Sequence, residues 1–180
     1  MGTVFFAGIY GVGKSTIIEK LSALTGLPAF SAGDLISARN GEKYGANKVV
    51  RDKSRNQRIL VDCVSELLGN NHRIMLAGHF CIVTKEGQID RLPSFVFDGI
   101  ELEKIILLEA SAETIVSHLS QRDGKSYSVG FIEKMLNEER LAARYTSDQL
   151  HIPLAVYEMT FSEKDEKALL QELQETNAAI

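Results

Sequence analysis

An α/β three-layer sandwich is the fold this 180-residue sequence predicts: a five-stranded parallel sheet in the order 2-3-1-4-5, with helices on both faces. Three observations predict it. Five short runs of β-forming residues alternate with segments of helical spacing, which places parallel strands beneath crossover helices. A glycine-rich loop of the form Gly-x-x-x-x-Gly-Lys-Ser lies between the first strand and the first helix. A chain of this length that is 44% hydrophobic and 24% charged fills one core and not two, so residues 1–180 read as one domain.

The first strand is Thr3-Val4-Phe5-Phe6-Ala7, short and apolar. The loop follows as Gly8-Ile9-Tyr10-Gly11-Val12-Gly13-Lys14-Ser15, and Thr16-Ile17-Ile18-Glu19-Lys20-Leu21 opens a helix. Strand, loop and helix in this order form a phosphate-binding loop. Its main-chain N–H groups close around phosphate oxygens, and the helix turns its positive dipole end to the same anion. Gly8, Gly11, Val12, Gly13, Lys14, Ser15 and Thr16 are therefore the nucleotide-binding candidates. Lys14 reaches the β- and γ-phosphates, and the Ser15 hydroxyl is the metal ligand, so ATP and Mg²⁺ are the expected cofactors. An ordinary glycine turn would have no use for Lys and Ser directly after its last glycine.

The second strand is expected at 28–31, after the turn at Gly26. A helix over about 53–68 leads to the third strand at 72–77, and the fourth lies at 104–109. Ser111 caps a helix running to about Gln121. A polar break, Arg122-Asp123-Gly124-Lys125-Ser126-Tyr127, follows it. A long helix starts near Val129 with Phe131, Ile132, Met135, Leu136, Leu141 and Ala142 at core spacing. The fifth strand is expected at 152–157, and a charged amphipathic helix from about Ser162 closes the chain. Ligands of such sheets collect at the carboxyl ends of the strands.

The net charge of −4 carries no basic footprint, so no nucleic-acid partner is expected. No apolar run approaches the ~20 residues of a membrane span, and no basic leader precedes the first strand, so the expected location is the cytoplasm. Cys63 and Cys81 form no metal-like or redox pair and read as small buried hydrophobes.

The acceptor side rests on weaker signals taken in order. Ser31-Ala32-Gly33-Asp34 resembles the Ser-Thr-Gly-Asp segment that opens the acceptor region of nucleoside monophosphate kinases. His79, Thr84, Gly87 and Leu92-Pro93, then Leu107-Leu108-Glu109-Ala110, Arg122-Asp123 and Arg140-x-Ala142-Ala143, together resemble the archaeal-type adenylate kinases from Met1 to about Tyr157. That resemblance implies an ATP-dependent kinase of a nucleoside monophosphate. It also implies a small acceptor-binding helical region at about 33–70 and a short lid at about 122–128. Asp34, Arg39 and His79 are the implied acceptor contacts. Lys14, Arg122 and Arg140 are the catalytic candidates, since a planar guanidinium grips two phosphate oxygens at once. No acid lies one turn from Arg140 on its own helix, at Leu136, Asn137, Ala143 or Arg144, so a surface pair does not account for it. Asp34 also reads as a helix N-cap, and His79 as a hydrogen-bonded structural histidine.

Two departures keep other readings open. Ala77-Gly78 stands where monophosphate kinases carry an Asp after the third strand; Glu109 is either its substitute or a structural cap. Lys85 replaces the family's Pro. A P-loop kinase of a non-nucleotide small molecule, or a nucleotide-binding accessory protein with weak ATPase activity, therefore stands beside the first reading. The absence of Asn-Lys-x-Asp speaks against a GTPase switch.

Overall fold

A computed structural model describes residues 2–40, 53–84 and 86–175. In chain order the elements are β1 (Gly2–Ala7), α1 (Lys14–Thr25), β2 (Ala29–Ser31), α2 (Ala32–Asn40), α3 (Lys53–Asn70), β3 (Arg73–Ala77), β4 (Cys81–Val83), β5 (Ile89–Arg91), α4 (Phe95–Gly99), β6 (Leu102–Glu109), α5 (Ala112–Asp123), α6 (Val129–Leu150), β7 (Leu154–Glu158) and α7 (Glu163–Glu175). Five strands form one parallel sheet ordered β2-β3-β1-β6-β7, the predicted 2-3-1-4-5.

The central strand explains the layers. All six residues of β1 are buried, because parallel sheets are covered on both faces. Side chains alternate along it, so Val4 and Phe6 enter one core with Ile17, Leu21, Ile115 and Leu169. Phe5 and Ala7 enter the other with Leu60, Val64, Phe97 and Ala143.

Helix ends follow local chemistry. The Ser111 hydroxyl accepts the Thr114 N–H at 3.2 Å, as a cap should, and α5 runs on to Asp123 before Gly124 ends it in a left-handed conformation. In α6 the buried stripe is Ile132, Met135, Glu139, Ala142, Ala143 and Thr146. The core position expected at Leu141 is thus corrected: Leu141 is 43% exposed, and Glu139 occupies the inward phase. At the start of α2 the Asp34 N–H points to the Ser31 hydroxyl at 3.4 Å, so the capping oxygen belongs to Ser31 and Asp34 sits inside the first turn.

The β4–β5 hairpin and α4 were not anticipated. Three-residue strands carry too little alternation to register as a pattern. Both cysteines are buried and free, and burial, reinforced by Glu139, pushes the Cys81 thiol up to about 12. No described helix is long and apolar enough to cross a membrane.

Candidate functional site

The phosphate loop leaves β1 at Gly8, whose φ of 144° and backbone approach to β6 require glycine. A Cβ there would lie 2.6 Å from the Leu108 carbonyl oxygen. Lys14 is the first residue of α1 and is buried; its Nζ donates to the Gly8 and Ile9 carbonyls at 2.7 and 3.0 Å. His79 Nδ1 donates to the same Gly8 carbonyl at 2.7 Å, and its ring rests on Tyr10 with centroids 4.2 Å apart. His79 is therefore both a hydrogen-bonded support of the loop and part of the cavity wall.

Gly78 accounts for the absence of an acid after β3. A Cβ at Gly78 would fall 2.6 Å from the Phe5 ring, so no carboxylate fits without moving the core. The carboxylate arrives from α6 instead. Glu139 is 1% exposed and accepts N–H bonds from Gly8 at 3.2 Å, Phe80 at 2.8 Å and Cys81 at 2.8 Å. Burial raises its pKa; the Phe80 amide, the Lys14 charge and the other two amides pull it back down without cancelling the rise. One side chain thus ties the phosphate loop to the loop after β3.

A cavity of about 1040 Å³ runs along the carboxyl ends of the strands. Gly11, Gly13, Lys14, Ser15 and Thr16 line it, as the sequence predicts. Gly8 and Val12 stand behind it; Val12 is a core residue. At one end His118, Arg122, Met159 and Phe161 close the wall. His118 meets the Gly11 carbonyl at 3.1 Å and the edge of Phe161 at 4.5 Å. Asp165 shapes the turn that carries Phe161, accepting from Tyr157 Oη at 2.9 Å, from Thr160 N and Oγ1 at 3.0 and 2.7 Å, and from Ser162 N at 3.3 Å. Arg122 grips Asp123 at 2.6 and 2.8 Å. That bond and the one from Tyr127 hold the Asp123 carboxyl well below its usual range. The far end of the cavity is lined by Ser31, Gly33, Asp34 and the start of α3.

Two expectations are corrected. Arg140 does find an acid, on β6: its Nε and Nη2 reach Glu109 Oε1 and Oε2 at 2.7 and 2.5 Å, and neither residue lines the cavity. Arg140 and Glu109 thus pair with each other outside the cavity wall, where the sequence reading found Arg140 no acid. Arg39, the expected acceptor contact, is held by Glu66 of α3 at 3.1 and 2.5 Å and stands outside the cavity wall. Own-helix spacing cannot reveal partners that tertiary packing supplies.

The Ser15 hydroxyl and the Asp34 carboxylate share the cavity wall and are both exposed. Oxygen donors in small number suit Mg²⁺, which keeps most of its shell as water and phosphate. Glu139, Asp165, His118, Phe161 and Gln57 were missed. Glu139 was legible as an acid at i+4 from Met135 inside an apolar stripe, and Asp165 as the acid of Ser162-x-x-Asp165. Nothing local marked the other three.

Comparison with known proteins follows the same outline. An adenylate kinase from Thermoplasma volcanium is 24% identical over 111 residues, 60% of this chain and 61% of that one, so the chain spans about three fifths of the curated relative it matches. Among solved structures, a shikimate kinase from Aquifex aeolicus superposes with a TM-score of 0.64 at 12% identity, covering 99% of each chain. A gluconokinase from Sinorhizobium meliloti 1021 gives 0.55 at 12% identity over 98% of this chain and 95% of its own. At such identities the likeness is one of fold. The AAA domain family matches residues 7–135, from the end of β1 through the first turns of α6, and the chain belongs to that family.

Proposed function

We propose that this protein is an ATP-dependent phosphotransferase that moves the γ-phosphate of ATP to a nucleoside monophosphate. The observation that carries the reading is the continuity of one cavity, from the phosphate loop to the wall built by Ser31, Asp34 and α3. Donor and acceptor phosphates can meet there without crossing bulk water, which is most of what phosphoryl transfer asks of a protein.

In this reading the main-chain amides from Gly11 to Ser15 wrap the triphosphate. Lys14 exchanges a carbonyl partner for a γ-phosphate oxygen. An acceptor phosphate oxygen attacks the γ-phosphorus as the bond to the β–γ bridging oxygen breaks, and ADP leaves with that oxygen. Arg122 supplies charge over the migrating group once it turns from Asp123, and the 122–128 segment acts as the lid that carries it. Ser15 would hold Mg²⁺, which neutralises charge on the β- and γ-oxygens. Asp34 and His79 face the acceptor.

The partial likeness to the Thermoplasma adenylate kinase supports a nucleotide acceptor. Fold likeness to shikimate kinase and gluconokinase supports the second reading, a kinase of a non-nucleotide small molecule. An accessory protein with weak ATPase activity is the third. A coupled ADP-release assay over the common ribo- and deoxyribonucleoside monophosphates separates them. Stimulation by one monophosphate is expected; a flat response to all of them, with ATP bound, excludes the first reading.

A further inference from the structure

Among the described residues that line the far end of the cavity, one buried polar atom has no hydrogen-bond partner. Gln57, in the first turns of α3, is 5% exposed and lines the cavity, and its Oε1 is buried without a hydrogen-bond partner. A buried acceptor left unmade is costly, and native folds keep few of them. Its neighbour Asn56 is used differently: Asn56 Oδ1 accepts from Asn40 Nδ2 at 3.0 Å. Apolar and aromatic side chains line the same cavity. Phe5, Ile36, Leu60, Val96, Phe97 and Ile100 share the wall, and Phe97 packs on Phe80 at 4.6 Å and on Phe5 at 5.9 Å. Among the described lining residues the only lysines and arginines are Lys14, Lys20 and Arg122, on α1 and α5; α2, α3 and α4 contribute none.

A polyhydroxylated acceptor would bury many hydroxyls against that wall. A heteroaromatic ring suits it: an apolar face for the wall and one N–H at its edge for the orphan oxygen. We propose that Gln57 is the specificity-determining residue of the acceptor subsite: a turn of its amide toward the cavity lets Oε1 accept an N–H from the exocyclic amino group of an adenine or cytosine base. An exocyclic amine projects beyond the ring. The imide N–H of uracil or thymine lies between two carbonyls, which would press acceptor oxygens against Oε1 and into the apolar wall. This inference rests on the nucleoside monophosphate reading and names the base within it.

The test uses the full chain and two independent deletions of the same bond. Gln57→Met removes the acceptor atom and keeps the shape. Its KM for AMP or CMP, whichever the wild type prefers, is expected to rise about 10–100-fold with the KM for ATP unchanged. On the ligand side, wild-type protein is assayed with the analogue lacking that amine, purine riboside monophosphate for AMP or zebularine monophosphate for CMP. The analogue is expected to lose a similar factor, and the variant is expected to lose almost nothing further against it. The ligand-side arm reads the bond even if the variant fails to fold. Turnover of a monophosphate with both deletions silent, or a wild-type preference for UMP, dTMP or GMP, overturns the role of Gln57 while sparing the kinase reading. No turnover with any monophosphate overturns both.

Discussion

Arg122 and Arg140 have the same chemistry and opposite circumstances. Arg122 is in the cavity wall and holds Asp123, an adjacent residue on the same helix end. Arg140 is half-exposed and holds Glu109, which is buried at the end of β6. Arg122→Ala is expected to lower kcat about 10²–10³-fold, the scale of a lost charge on a developing transition state, with little change in stability. Arg140→Ala leaves a buried carboxylate unpaired. It is expected to cost about 1–3 kcal/mol in urea unfolding while kcat stays within a few-fold. A reversal of the two phenotypes in steady-state kinetics and denaturation would move the catalytic charge to Arg140.

At the scale of elements, α6 and the β7–α7 turn do the positioning. Glu139 reaches from α6 to amides on both sides of the cavity floor, and every partner it meets there is a donor. Glu139→Gln must turn an NH₂ toward one of those N–H groups. A loss of about 1–3 kcal/mol is expected, with a fall in kcat larger than any rise in the KM for ATP. Equal stability by urea unfolding would mean that the three bonds carry no net energy. In the β7–α7 turn, burial pushes the Asp165 carboxyl up, but hydrogen bonds from Thr160 and Tyr157 outweigh it, and its pKa lies below the ordinary 3.8. A carboxyl depressed in the folded state stabilises above its unfolded value and loses that contribution as pH falls through the folded one. Asp165→Asn is therefore expected to be less stable than wild type by about 1–2 kcal/mol at pH 5–7, with the gap closing below pH 3.8. A gap that widened in acid would contradict the assignment.

At the scale of the molecule, what could be read from the chain was what is local. The loop from Gly8 to Ser15 needs only its own residues and the strand and helix beside it, so its motif and context sufficed. A parallel sheet covered on both faces followed from the alternation of strand-like and helical runs. The supports around the phosphate loop and the sheet were less legible because they are built across long separations: Glu139 bonds to Gly8 across 131 positions, and Arg140 to Glu109 across 31. A pairing pattern on one helix cannot show either. Gln57 is the extreme case, an ordinary polar residue in a basic segment until the fold buries it in the cavity wall.

The central claim is that the terminal phosphate of ATP passes to a nucleotide held in the same cavity. ATP labelled at the γ-phosphate, incubated with the protein and each monophosphate, tests it most directly. The label is expected in a nucleoside diphosphate, with none in that position for Lys14→Ala. Label recovered only as inorganic phosphate, at a rate no monophosphate changes, would contradict the account.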